Sequence, residues 1–284
     1  MTTQSRRSFV ATVGAAALGA MALPRLAACG VSTERRLSPI GIQLYTLRTA
    51  MERDLPGTLA RVAEIGYDEV EFAGYFGRTP AQIRALLAQH GLASPSTHLA
   101  YEQLGPGWPK ALADAMEIGH QWVTIPWTPE EVRRTADDWK RVAERYTEAG
   151  RAAKAAGLRF AYHNHDYELT PMGGQVPLDI LLTNTDPALV DFEMDLYWMV
   201  KGGADPLDYF ARFPHRFPLV HVKDATAAPE RRMVDVGAGT IDFRRIARAR
   251  EQAGIQHWIV EHDNPTDAFA SARASYGYLA ALEP

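Results

Sequence analysis

The sequence predicts an α/β protein, a single (β/α)8 TIM barrel preceded by an N-terminal signal segment. Eight short β-rich runs recur about every 30 residues, the length of one strand–helix unit. Between successive runs, apolar residues recur at a spacing of three to four, as on the buried face of a helix. Strands that alternate with helices pair in parallel through right-handed crossovers. Eight such units without a break in composition predict a closed barrel.

The elements of the barrel follow one another at short intervals. In chain order, the predicted strands are residues 40–46, 68–73, 92–98, 121–126, 158–163, 190–195, 218–222 and 257–261. Helices are predicted between them, among them residues 139–156 and 243–253. Glycine tolerates the left-handed conformation that ends a helix. Four helices are therefore predicted to end at glycines, namely Gly66, Gly91, Gly157 and Gly254.

The predicted barrel occupies residues 38–284 as one domain. The first strand runs into Thr46 and Arg48 without the glycine-rich phosphate turn that a doubly wound dinucleotide-binding sheet has at this point. This absence favours the barrel over the doubly wound alternative.

Residues 1–29 are predicted to be an export signal. Arg6 and Arg7 precede an uncharged run, residues 9–23, that is rich in alanine and glycine and shorter than the about 20 residues that span a bilayer. A basic start followed by a short apolar run is typical of a signal peptide, here of the twin-arginine type. The only cysteine, Cys29, follows Ala28 in a segment that resembles a lipoprotein lipobox; the alternative is a plain cleavage site beside a chance cysteine. We expect export by the twin-arginine route, to the periplasm or to a membrane-anchored lipoprotein.

The charge of the chain argues against a nucleic-acid partner. Its 284 residues include 30 basic and 34 acidic side chains, which give a formal net charge of −4. Loss of the signal would remove three arginines and no acid, and would change that charge to −7. Such a protein repels a phosphate backbone. One cysteine can form neither an internal disulfide nor a cysteine-rich metal site.

Ionisable and aromatic side chains are concentrated where the predicted strands end. In a (β/α)8 barrel, the catalytic groups come from these C-terminal strand ends. Acids and histidines that converge from separate strands form a mixed oxygen and nitrogen site for one divalent cation. The residues in question are Gln43, Tyr45, Glu71, His98, Trp127, His163, His165, Glu168, Asp195, His221, Lys223, Asp224, Glu261 and His262.

Seven segments, in this order, carry a resemblance to a known family. They are residues 41–48, 66–71, 162–168, 195–198, 220–224, 237–243 and 259–262. Over about residues 38–280 the chain resembles the sugar phosphate isomerase/epimerase family of xylose-isomerase-like TIM barrels. The resemblance implies a divalent metal ion held by a Glu, an Asp, a His and a second Glu. Three of these carry over by position, to Asp195, His221 and Glu261.

The first glutamate of the family's ligand set does not carry over. The position that matches it best holds His163, so the predicted metal ligands are His163, Asp195, His221 and Glu261. His163 and His165 share one strand face by the alternation of a β-strand. Glu168 is a rival ligand or a proton shuttle, and a simple packed pair of histidines is the alternative. A second histidine favours a softer ion, so Mn²⁺ is expected, with Zn²⁺, Co²⁺ or Mg²⁺ as alternatives.

The resemblance also implies a reaction and a small-molecule sugar substrate. We expect a metal-dependent isomerase or epimerase that removes a proton next to the carbonyl of a sugar or keto sugar. The candidate catalytic residues are Glu261, His165, Glu168 and Lys223, and Lys223 is alternatively paired with Asp224. The candidate substrate-binding residues are Tyr45 and His98 for hydroxyl groups, and Trp127 and Trp198 for stacking.

Three alternatives remain open at this point. The same proton abstraction followed by β-elimination would make the protein a lyase or dehydratase of a 3-keto sugar. Loss of the usual first glutamate would fit a catalytically silent sugar-binding lipoprotein. An endonuclease IV type of barrel is disfavoured, because it needs more histidines at strand ends and a surface that does not repel DNA.

Overall fold

The computed structural model describes residues 37–283, and within them eight parallel strands form a nearly closed barrel. Neighbouring strands follow one another around the barrel in chain order, the first strand pairs with the last, and isolated bridges from Glu69 to Ala93 and from Phe72 to Thr97 join the second strand to the third. The predicted (β/α)8 barrel is thus confirmed. The barrel strands are β1 (Ile40–Gln43), β2 (Glu69–Glu71), β3 (Ser96–His98), β4 (Trp122–Ile125), β5 (Arg159–His163), β6 (Val190–Asp195), β7 (Leu219–Val222) and β10 (His257–Val260).

Helices surround the strands, and several of them begin at a capping side chain. Thr79 and Thr135 form reciprocal capping boxes with Gln82 and Asp138, an arrangement that satisfies otherwise unpaired N–H groups at a helix start. The helices are α1 (Arg48–Arg53), α2 (Leu55–Ile65), α3 (Pro80–His90), α4 (Trp108–Ile118), α5 (Ala136–Ala155), α6 (Pro177–Asn184), α7 (Leu196–Lys201), α8 (Pro206–Arg212), α9 (Phe243–Arg248), α10 (Arg250–Ala253) and α11 (Ala268–Ala280).

Several predicted element bounds were wrong, for local reasons. β1 ends at Gln43, because the Gln43 side chain accepts a hydrogen bond from the Tyr45 N–H and starts a 3-10 helix over Leu44–Leu47. β3 begins only at Ser96, after Pro95, which cannot donate a ladder hydrogen bond. The helix predicted over residues 243–253 is divided into α9 and α10.

Other details of the fold were predicted correctly or were missed. Gly66, Gly91 and Gly254 end their helices in the left-handed conformation, and Gly157 adopts it one residue after the cap of α5. A short antiparallel hairpin of β8 (Asp224–Ala225) and β9 (Met233–Val234) follows β7 and was not predicted. The predicted signal segment lies outside the described residues.

The core lies between the outer face of the barrel and the helices. Trp139 and Tyr146 of α5 are fully buried, as are Phe160 and Tyr162 of β5 beneath them. Because side chains alternate along a strand, the other faces of β5 and β6 point into the barrel, where buried polar groups collect. None of the helices in residues 37–283 is both long and apolar enough to cross a membrane.

Gly150 of α5 permits the helix to approach the chain before β6. A Cβ atom at Gly150 would lie 2.3 Å from the Leu189 carbonyl oxygen, whereas one at Gly277 of α11 would meet open space. Gly150→Ala is therefore expected to destabilise the fold by about 1–3 kcal/mol, although alanine normally favours a helix. Gly277→Ala, the matched control, should stabilise it by about 0.4–1 kcal/mol. Denaturant unfolding of both variants measures the two changes, and equal effects would contradict the close approach.

Candidate active site

Strand ends bring acids and histidines together inside the mouth of the barrel. Glu71 ends β2, His98 ends β3, His163 ends β5 and Asp195 ends β6. His221 lies within β7 and Glu261 directly follows β10. All of these side chains except the half-buried His98 are buried. Their position at the C-terminal ends of parallel strands is that of an active site in this fold class.

The four predicted ligands form what we call the outer group, namely His163, Asp195, His221 and Glu261. The ligand atoms of Asp195, His221 and Glu261 all lie within 4.8 Å of one another. His163 Nε2 is 3.6 Å from Asp195 Oδ2, and His221 Nδ1 is 2.8 Å from Glu261 Oε2. Metal–ligand bonds of about 2.0–2.3 Å permit one ion to bind atoms at such separations. The fold thus brings Asp195, His221 and Glu261 together and places His163 beside Asp195, and the role of the four as metal ligands stays a prediction.

Lys223 reaches the same carboxylates. Its Nζ lies 3.0 Å from Asp195 Oδ2, 2.6 Å from Glu261 Oε2 and 2.7 Å from Asp263 Oδ1. The alternative pairing of Lys223 with Asp224 was wrong, because adjacent residues of an extended chain point to opposite sides. The three carboxylates hold the pKa of Lys223 well above its ordinary value, against the opposing effect of burial. The ammonium group is therefore a fixed cation beside the outer group.

A second set of side chains adjoins the outer group, and we call Glu71, His98 and Glu193 the inner group; Glu71 and Glu193 are buried and His98 is half-buried. His98 Nε2 is 2.7 Å from Glu193 Oε2 and 3.2 Å from Glu71 Oε2. The sequence analysis noted Glu71 without a role, assigned His98 to substrate hydroxyls, and missed Glu193. The signal for Glu193 was available, because it precedes Asp195 by two residues and so shares its strand face.

The inner group holds the far nitrogens of the two histidines in the outer group. His163 Nδ1 lies 3.2 Å from Glu193 Oε2, which leaves Nε2 toward Asp195. His221 Nε2 lies 2.7 Å from Glu71 Oε2, which leaves Nδ1 toward Glu261. A carboxylate on the second nitrogen fixes the tautomer and orientation of a metal-binding histidine. This arrangement suits a metal in the outer group.

The donor set fits a divalent cation. Asp195 Oδ2 is buried and accepts no hydrogen bond of acceptable geometry from the described residues. Carboxylate and imidazole groups together suit Mn²⁺, Zn²⁺ or Co²⁺. His98, His163, Glu193 and His221 also lie close enough to hold an ion. The outer group is the better candidate, because it offers two carboxylates to balance the charge of a divalent ion where the rival set offers one, and because its Glu261 lines the cavity at the barrel mouth.

Burial and mutual repulsion raise the proton affinity of several of these acids. Burial, and then the charge of Glu71, raises the pKa of Glu193 to about 7. Burial raises the pKa of Asp195 to about 6, despite the nearby Lys223. At Glu71, burial acts in the same direction, but the charges of His98 and His221 outweigh it and hold the pKa well below its ordinary value. Metal binding at such a cluster releases protons.

A cavity of about 690 Å³ opens above the outer group. Three of the predicted substrate-binding residues, Tyr45, His98 and Trp127, line it. Tyr45 and Trp127 are 43% and 45% exposed, which is unusual for side chains of this size. The fourth, Trp198, lies beside His165 with 5.4 Å between the ring centroids.

The two remaining predicted catalytic residues have different surroundings. His165 lines the cavity, and its buried Nδ1 has no hydrogen-bond partner among the described residues. Burial lowers the pKa of His165 to about 3, so its ring is neutral near pH 7. Glu168 is fully buried and is bonded to the Tyr162 hydroxyl and to the His165 N–H at 2.9 Å. These contacts fix the loop that carries His165, and the role of Glu168 as a proton shuttle stays a prediction.

The fold and the site are those of a barrel enzyme with a group of side chains that could hold a metal ion. A family model for the xylose isomerase-like TIM barrel matches residues 59–282. The chain belongs to this family.

Curated relatives carry the name inosose dehydratase. The protein from Lacticaseibacillus casei is 31% identical over 142 residues, which cover 44% of this chain and 47% of that protein. The chain thus spans about half the length of this relative. The protein from Geobacillus kaustophilus is 24% identical over 277 residues, which cover 80% of this chain and 88% of that protein.

Solved structures share the fold. A sugar phosphate isomerase/epimerase from Parabacteroides distasonis has a TM-score of 0.75 and 28% identity, with 85% of this chain and 93% of that chain covered. The IolI protein, solved with a zinc atom, has a TM-score of 0.68 and 15% identity, with 84% and 95% covered. At this identity the second structure is similar in fold alone.

The contacts of Glu193 lead to a testable expectation for the metal. Glu193→Gln should weaken Zn²⁺ or Mn²⁺ binding by about 10- to 100-fold, because the amide orients His163 less well than a carboxylate does. Glu69→Gln is a matched control, since Glu69 forms a similar pair with His257, at 2.7 Å, at the strand starts. Calorimetric titration measures both variants. Equal affinities in the two would contradict the role of Glu193.

Proposed function

We propose that this protein is a metal-dependent enzyme that removes the proton next to the carbonyl of a sugar or keto sugar, and thereby isomerises or epimerises it. One observation carries the proposal. Two carboxylates, two histidines and a lysine converge at the floor of a cavity large enough for a small molecule. Such a set can hold a cation beside a proton acceptor and a proton donor.

The side chains divide naturally between binding an ion and moving a proton. His163, Asp195, His221 and Glu261 would hold the ion. When bound, a divalent ion polarises a carbonyl group and so acidifies the neighbouring C–H.

His165 is the favoured proton acceptor, because it lines the cavity and its Nδ1 has no other partner. Glu261 is the alternative, but it already accepts from Lys223 and His221. The Lys223 ammonium group lies at the cavity wall, where it would donate a hydrogen bond to a substrate oxygen and return a proton.

Dehydration is the second candidate, and the relatives favour it. The matches to proteins named inosose dehydratase extend over as much as 80% of this chain. A dehydratase begins with the same proton abstraction and then loses a hydroxyl group. The leaving hydroxyl would need a proton donor, and Lys223, whose ammonium group lies at the cavity wall among three carboxylates, is the candidate for that role.

The experiment is a substrate screen in D2O. The full chain, loaded with Mn²⁺, is incubated with free sugars and 3-keto sugars, and NMR follows both deuterium uptake and new alkenes. Deuterium uptake with rearranged carbonyl or hydroxyl groups would identify an isomerase or epimerase, and loss of water would identify a lyase. The same protein after chelation is the control. No uptake with any substrate would contradict the proposal and would favour a sugar-binding protein without catalysis.

We also propose that the protein is exported, on the strength of the twin-arginine pair and Cys29. Mass spectrometry of membrane fractions should find a lipid on Cys29, and Cys29→Ala should abolish it. A protein that retains Met1 and stays in the cytosol would contradict this proposal.

A further inference from the structure

We infer that the cavity takes a neutral substrate, a sugar without a phosphate group, whose outer part is an apolar ring bound by Trp127 and Tyr45. This inference rests on the proposed function, and it names the class of substrate for the same site. It separates this chain from an enzyme that acts on sugar phosphates. Three independent features of the cavity support it.

The first feature is the charge of the cavity wall. Among the described residues that line the cavity, Lys223 is the only lysine or arginine. Three carboxylates already contact its ammonium group at 2.6–3.0 Å. The half-buried His98 is likewise bonded to Glu193. Apart from the metal ion of the proposed function, a phosphate in the cavity would therefore face acids, and would find no unpaired cationic side chain among the described lining residues to balance its charge.

The neighbouring Arg48 is also committed to other partners. Its guanidinium group donates to the Tyr45 and Asp263 carbonyl oxygens at 2.9 and 2.8 Å, and to Asn264 Oδ1 at 3.0 Å. It lies 4.1 Å from the centroid of the Tyr45 ring. Arg48 thus holds Tyr45 in place, and few of its N–H groups remain free to bind an anion.

The second feature is a backbone anion cradle that the protein fills with its own carboxylate. In (β/α)8 barrels, the loops after the seventh and eighth strands often bind a substrate phosphate. Here Asp224, two residues after the end of the seventh barrel strand, accepts from the N–H groups of Ala225, Gly237, Gly239 and Ile241 at 2.7–3.1 Å.

The fit of Asp224 in the cradle is close. Asp224 is 1% exposed, and a Cβ atom at Gly239 would lie 2.3 Å from its Oδ1. Several backbone N–H groups that point at one carboxylate are donors of the kind that would bind a phosphate. With Asp224 in place, this cradle is not available to a substrate.

The third feature is the aromatic rim. Trp127 and Tyr45 are both exposed and both line the cavity. The remaining lining includes apolar side chains such as Leu99 and Pro126. Exposed aromatic groups beside a polar floor suit a ligand with a polar reacting end and an apolar ring at the other end. A sugar joined to a second ring has this character, and a sugar phosphate does not.

The test compares three probes on the Mn²⁺-loaded full chain by calorimetry, namely glucose, glucose 6-phosphate and phenyl β-glucoside. We expect phenyl β-glucoside to bind at least about tenfold more tightly than glucose 6-phosphate. Trp127→Ala should remove most of this preference. Met116→Ala removes another large exposed side chain, one that lies on α4 and does not line the cavity, and should preserve the preference.

Two results would overturn the inference. One is that glucose 6-phosphate binds as tightly as the phenyl glucoside, and the other is that no neutral probe binds. These results are distinct from failure of the proposed function. Deuterium exchange on a phosphorylated sugar would preserve the proposed function and remove the inference. If neutral ligands bind but no substrate exchanges deuterium, the inference is preserved and the proposed function is contradicted.

A second variant tests the cradle directly. Asp224→Gly leaves four N–H groups without their carboxylate, and inorganic phosphate should then raise the melting temperature of the variant more than that of the unaltered protein. Sodium chloride at equal ionic strength is the control. If phosphate stabilises both proteins equally, the cradle is not closed by Asp224. If the variant does not fold, the three-probe comparison on the unaltered chain still decides the inference.

Discussion

The His163→Ala variant is expected to lose bound metal and turnover together. His163 Nε2 faces Asp195 Oδ2 at 3.6 Å, and the other ligands lie on separate strands that cannot close the gap. Loss of a residue that only orients a metal ligand weakens metal binding by about 10- to 100-fold. Loss of a ligand itself should weaken it at least as much. Metal content after dialysis and the rate of deuterium exchange measure the two effects.

Glu168→Gln is the comparison variant for His163→Ala. The Glu168 carboxylate contacts the Tyr162 hydroxyl and the His165 N–H, so the variant should keep the metal. If Glu168→Gln loses the metal and His163→Ala retains it, the assignment is reversed and the fourth ligand is a glutamate displaced along the chain. If both variants keep metal and activity, residues 162–168 serve only as the structural rim of the barrel.

The second large effect is expected at His165. His165→Ala should retain the metal but lower the rate of deuterium exchange by about 10²–10⁴-fold, the usual contribution of a positioned general base. Glu261→Gln should instead lower both the metal content and the rate of deuterium exchange, since Glu261 belongs to the outer group. Trp127→Ala is a matched control, because it changes the cavity rim and should raise KM with little change in kcat.

The outcome that contradicts this assignment is specific. If His165→Ala exchanges deuterium at the original rate while Glu261→Gln retains metal and loses exchange, then Glu261 is the base. His165 would then act as a packing residue between His163 and Trp198, whose rings it contacts.

The repeated units of the sequence were sufficient to predict the barrel, because each strand–helix unit buries its apolar face against the next. β6 was predicted over the same residues, 190–195, that the structure shows. The predicted ends of strands were wrong where a single side chain determines the local geometry, as Gln43 does at the end of β1. Such contacts have no periodicity that a sequence pattern could reveal.

The candidate site was predicted in part, and the missing part has a physical explanation. Asp195 ends a strand, Glu261 follows one and His221 lies one residue before the end of one, so their convergence could be predicted from the fold. The contacts of Glu71 and Glu193 with the histidines depend on the register of the strands and on side-chain conformations, which a single sequence does not specify. The Glu168 carboxylate contacts both the Tyr162 hydroxyl and the His165 N–H, contacts that sequence spacing does not reveal, and its role as a proton shuttle stays a prediction.

The most direct test of the account is a crystal structure of the full chain grown with Mn²⁺, with the ion located by its anomalous scattering. The account predicts one strong peak bonded to His163 Nε2, Asp195, His221 Nδ1 and Glu261, with the inner group unchanged behind the histidines. A peak bonded instead to His98 and Glu193, or no peak at the barrel mouth at saturating Mn²⁺, would contradict it.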